Sequence, residues 1–125
     1  MKSNDFVELN IGKEFSTLPS GRFYSDETQS SGEQFREELL RKKLESLQPG
    51  QKVLVIIDNV EGYGSSFLVE GFAGMVKYGY MKNDVLLSKL SFKYDDNEFS
   101  FFEDKIIQYI KEAVFASKKY ESTKK

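Results

Sequence analysis

The chain has 125 residues, 39% hydrophobic and 14% aromatic, enough apolar material for one core of ordinary domain size. Charged residues make up 30% but nearly cancel, to a net charge of −2, so nothing draws the chain toward nucleic acid or an anionic membrane surface. The absence of cysteine and histidine excludes disulfides, thiolate chemistry and Ser-His-Asp or Cys-His catalysis, and would leave zinc only an all-carboxylate site.

Residues Asp5 to Ile11 alternate, with Phe6, Glu8 and Asn10 opposed to Val7, Leu9 and Ile11, which predicts a strand ending at Gly12. Leu18-Pro19-Ser20-Gly21 is a turn signal and makes Glu14 to Thr17 a short return strand. Residues 22–31 are polar and aperiodic, a loop in which Arg22-Phe23-Tyr24 is the strand-like triplet. Ser31 suits a helix N-cap, and Glu33, Glu37 and Glu38 suit the positive helix start. Phe35, Leu39, Leu40, Leu44 and Leu47 form its apolar stripe, and Pro49-Gly50 stops it.

The run Lys52 to Asp58 reads as a central strand, covered on both faces or flanked on both edges. Asn59 to Gly64 is a turn, after which Ser65 and Ser66 open a helix with Leu68, Phe72, Met75, Val76 and Gly79 on one side. Asn83 to Ser88 reads as a short helix, Lys89 to Tyr94 as a strand, and Asp95-Asp96-Asn97 as a turn. A last helix starts near Ser100 with Ile106, Ile107, Ile110, Ala113 and Val114 as its stripe, and the lysine-rich tail from about 118 is expected to fray. The order predicts a single α/β layer domain over residues 1–125, with parallel neighbours in its second half. The longest apolar stretch, Val53 to Ile57, is far short of a membrane span, and the first residues lead into no long apolar segment, so no signal peptide is read there. A cytoplasmic location is the default expectation.

Two places could carry function. Asp58 to Ser66 lies past the carboxyl end of the central strand and before a helix, where ligands sit in open α/β sheets. Its serines stand where helix amides tolerate a phosphate. The plainer reading is a well-capped turn. Nucleotide patterns fail there: Phe67 occupies the third dinucleotide-loop glycine position, and no Gly-Lys-Ser/Thr loop exists. The second place is the helix start with Arg22, Ser31, Gly32 and Arg36, a candidate anion site whose plainer reading is an N-cap with solvated charges. The carboxylates Asp58, Glu61, Glu70, Asp95 and Asp96 match no metal motif, and no metal or other cofactor is expected.

The segments Gly21 to Asp26, Ser31 to Arg36 and Val55 to Gly74 resemble a bacterial STAS-like family of unknown function, with Ser65 to Gly74 the most specific part. That resemblance implies a mixed sheet of about four to five strands with helices mainly on one face. In the anti-sigma-factor antagonist branch, a serine at the start of the helix after the central strand is phosphorylated by a partner kinase. Ser65 or Ser66 occupies that place here, with Gly64 before the pair instead of Asp and Phe67 after it instead of Gly. The resemblance implies a non-catalytic regulatory domain, not an enzyme. It would contact a protein partner of the serine-kinase ATPase type through Gly62, Tyr63, Gly64, Ser65, Ser66 and Phe67. The alternative is a small anion- or nucleotide-binding domain, or weak enzyme, using Arg22, Ser31 and Arg36.

Overall fold

The computed structural model describes residues 5–26 and 30–124. Met1 to Asn4, read above for a leader, Glu27 to Gln29 of the loop, and Lys125 lie outside them. The described elements in chain order are β1 (Phe6–Asn10), α1 (Ile11–Glu14), a 3₁₀ turn (Tyr24–Asp26), α2 (32–45), β2 (Lys52–Ile56), α3 (65–77), α4 (Asn83–Ser88), β3 (Leu90–Lys93), a second 3₁₀ turn (Asn97–Phe99) and α5 (Ser100–Glu112).

Three strands, not four or five, form the sheet among the described residues. The order is β1-β2-β3 and both pairings are parallel. The two missing strands were lost to local side-chain bonds. Asn10 caps α1 by accepting from the Lys13 amide, and the Glu14 carboxylate accepts from the Asn10 amide, so this stretch closes into a helical turn. At Arg22 to Tyr24, the Asp26 carboxylate takes the Arg22 and Phe23 amides and Glu33 takes the Tyr24 amide, so a sheet ladder has no donors to use.

Register puts Val7, Leu9, Val53, Val55, Leu90 and Phe92 on one face. Leu9, Val53, Val55 and Leu90 are buried there, whereas Leu54 and Ile56 on the other face are only half-buried. The central strand is therefore flanked on both edges but covered on one face. The topology explains this: two right-handed crossovers stepping in the same direction carry both helical connections to the same side. Helices α2 and α3 pack together there, and α5 packs against α3 and α4 with Ile106 and Ile110 buried.

Both long helices contain a π-helical turn, Arg36–Leu40 in α2 and Val69–Ala73 in α3. Their axes approach closely where Gly32 meets α3: a β-carbon on Gly32 would lie 2.7 Å from the Phe67 carbonyl oxygen and 2.9 Å from the Gly71 nitrogen. Only glycine permits that contact. The segment after α5, expected to fray, instead lies across the helices. Its Ala116 and Lys118 amides donate to the Val76 and Lys77 carbonyls at the end of α3.

Candidate functional site

The turn after β2 is built from the strand end outward. Asp58 is buried and accepts from the Asp95 amide at 2.6 Å, tying the end of β2 to the chain leaving β3. The Glu61 amide donates to the Thr17 carbonyl. Tyr63 lies half-buried over this end and donates its hydroxyl to the Ile57 carbonyl at 2.6 Å; burial, then the nearby Asp58 charge, push its phenol above the ordinary range. Gly64 is the N-cap of α3 and supplies no side-chain cap, so the first amides of α3 have no cap side chain of its own.

Ser65 is exposed and Ser66 half-buried at the first turn of α3. The Ser66 Oγ accepts from Arg22 Nη2 at 3.3 Å. The two places singled out in the sequence thus meet: the loop carrying Arg22 folds against the serine pair. The Arg22 carbonyl in turn accepts from the Glu33 amide, and Ser31 caps α2 by accepting from the Gln34 amide. Arg22 Nε is buried and has no hydrogen-bond partner among the described residues.

Two residues expected at these sites lie elsewhere. Phe67 is fully buried, with ring centroids 5.3 Å from Phe35, 5.9 Å from Tyr63 and 6.0 Å from Phe15. The helix turns it inward, so it offers a partner no surface. Arg36 is fully buried one turn along α2 from Ser31 and Gly32. Its Nη1 donates to the Glu70 carboxylate at 3.0 Å and to the Glu70 carbonyl at 2.7 Å, and its Nε donates to Glu37 at 2.9 Å. Burial pulls the guanidinium pKa down, but the bonds to Glu37 and Glu70 outweigh it and the net direction is up. The guanidinium also lies over Tyr78 at 4.6 Å and Tyr120 at 5.0 Å. Gly74 makes the room, since a β-carbon there would be 2.6 Å from Arg36 Nη1.

Sequence reasoning missed Glu70 as this partner, and missed Glu33. The available signal was an acid flanked by Val69, Gly71 and Phe72 in the most apolar part of its helix. Glu33 is fully buried and accepts from the Tyr24 amide, the Tyr120 hydroxyl, the Thr123 amide and the Thr123 hydroxyl. Burial alone would raise its pKa, yet those bonds, Thr123 and Tyr120 foremost, hold it below the ordinary carboxylate value. Among the described residues no group of three or more carboxylates is arranged to hold a metal ion, and no helix is long and apolar enough to cross a membrane.

No curated protein and no solved structure matches the chain. A family model described as a STAS-like domain of unknown function matches residues 31–98, from the N-cap of α2 to the turn before α5. That span covers more than half of the sequence and includes β2, the serine-bearing start of α3 and β3, and the chain belongs to this STAS-like family.

Proposed function

We propose that the chain is a non-catalytic regulatory domain that binds a protein partner of the serine-kinase ATPase type through the Gly62 to Ser66 turn, with Ser66 as its switch residue and the cytoplasm as its location. The observation that carries this reading is the Arg22 guanidinium at the Ser66 hydroxyl, on the first turn of α3. A phosphate on Ser66 would bring about −2 charge to a helix start, where the dipole and free amides favour it, and beside a cation placed to accept it. The partner would then meet a surface of altered charge. Gly62, Gly64 and exposed Ser65 complete the contact, with Tyr63 as its rigid floor. STAS-like membership is consistent with an interaction role, and the lack of histidine and cysteine leaves no His- or Cys-based nucleophile–base pair. The test is intact-mass and fragment analysis after co-expression with a kinase-like ATPase, with binding of Ser66→Asp measured alongside. An unmodified Ser66, together with wild-type binding by Ser66→Asp, would refute the switch.

A second reading, a small-anion site at the same place, is favoured by the unpartnered Arg22 Nε. It would use Arg22 and the start of α3, since Arg36 is spent on Glu70. Stabilisation by inorganic phosphate of the form RT ln(1 + [L]/Kd) would support it. An unchanged Tm at millimolar phosphate would count against it.

A further inference from the structure

We infer that residues 116–124 form a releasable strap whose docking on Glu33 holds the Arg22 loop closed over Ser66, so that release of the strap opens the serine. This rests on the reading of Ser66 as the working residue and adds its regulation.

The strap is anchored by polar contacts. The Ala116 and Lys118 amides take α3 carbonyls at 2.9 and 3.1 Å. Tyr120 lies over Arg36, packs edge-on against Tyr78, and donates to Glu33 at 2.6 Å. Thr123 gives Glu33 both its amide, at 3.0 Å, and its hydroxyl, at 2.6 Å. Little apolar surface backs these bonds: Val114, Phe115, Ser117, Lys118, Lys119, Glu121 and Ser122 are all exposed. Ala116 sits at φ 55°, a left-handed conformation that costs a non-glycine residue free energy. Segments with few buried contacts open far below the global unfolding free energy.

The same carboxylate organises the loop. Glu33 accepts from the Tyr24 amide, and its own amide donates to the Arg22 carbonyl. The Ser25 amide donates to Thr123 Oγ1 at 3.0 Å, a direct bond from loop to strap. Lys124 lies over the Tyr24 ring and reaches Glu38 at 3.9 Å. When the strap leaves, Glu33 loses three of these four donors and the loop loses its Ser25 and Lys124 contacts. The Arg22 backbone keeps its bonds to Asp26 and to the Glu33 amide, so what is released is the loop's tie to the strap, and with it the restraint on the Arg22 side chain over Ser66.

The chain contains no cysteine, so Ser66→Cys provides a single thiol reporter. Alkylation by iodoacetamide over a pH series gives two quantities: the plateau rate reads access, and the thiol pKa reads the nearby Arg22 charge. In the full chain, adding Tyr120→Phe and Thr123→Val should raise the plateau rate several-fold and raise the thiol pKa. Arg22→Gln in the reporter should raise the pKa alike. Hydrogen exchange in the unmutated chain should show the Lys118 and Thr123 amides opening without global unfolding. A plateau rate and pKa unmoved by the strap substitutions, or strap amides that exchange only through global unfolding, would overturn the inference. No partner or kinase enters these measurements, so a failed Ser66 switch and a failed strap are separable results.

Discussion

Replacing Glu70 by alanine strands the Arg36 guanidinium in the interior between two helices. The pair is 3.0 Å apart with neither side chain exposed. At an effective dielectric of about 20, a contact of that length is worth roughly 5 kcal/mol of Coulomb attraction. Glu37 at 2.9 Å and the Glu70 carbonyl at 2.7 Å survive the substitution and return part of it. The Tyr78 hydroxyl, which donates to Glu70 at 2.6 Å, loses its acceptor. The expected cost is about 3–5 kcal/mol, the range for breaking a buried pair by removing one partner. With a urea slope of about 2 kcal/mol per M, the midpoint falls by about 2 M. Arg36→Met combined with Glu70→Leu should be less destabilised than either single variant, because the double removes both charges. A Glu70→Ala cost below about 1 kcal/mol, or an identical cost with and without Arg36, would refute the reasoning.

Phe67→Ala should cost about 3–5 kcal/mol of stability, seen in urea unfolding, since the ring is core rather than contact surface; a stable variant that only loses partner binding would contradict its burial. Gly32→Ala should cost about 1–3 kcal/mol by forcing α2 and α3 apart, measured in the same way. For pH, the sign follows from Glu33, whose folded pKa is lowered. Its contribution is present above the ordinary value of about 4.3 and is lost as pH falls through the lower folded value. Its other neighbours stay put over that range: the Tyr24 and Tyr120 phenols are pushed up, first by burial, Tyr120 to about 12, and Arg36 stays charged. Thr123 amide protection should thus hold from neutrality down to about pH 5 and fall below about pH 4, and Glu33→Gln should remove that dependence.

The helices were legible mainly because their periods are local, whereas of the expected caps only Ser31 holds: the N-cap of α3 is Gly64 and that of α4 is Lys82, neither with a side-chain cap bond. Ser31 accepts from the Gln34 amide as its position suggested, and Asn83–Ser88 falls on the residues expected. The strands Phe6–Asn10, Lys52–Ile56 and Leu90–Lys93 were legible from alternation or a β-branched run. The false strands failed because Asn10, Glu14 and Asp26 bond amides a few residues away, a competition that a hydrophobic pattern does not register. Of the candidate residues, Ser65 and Ser66 were singled out by their place after β2. Arg22 was singled out as a charge, and its contact with Ser66 followed only from folding.

The sequence by itself determined the α/β layering, the class of chemistry that lack of histidine and cysteine rules out, and the serine pair at a helix start. These follow from residue type and short-range spacing. Only the tertiary structure decided that Arg36 faces Glu70 rather than an anion, that Phe67 turns inward, and that the tail docks on Glu33. Each of those is a contact between residues more than thirty positions apart, or an orientation set by the neighbours a helix packs against. The first of them lies in both π-helical turns, with Arg36 at the start of one and Glu70 within the other. A 3.6-residue period does not register a π-helical turn, so it gives no sign that these two positions face each other.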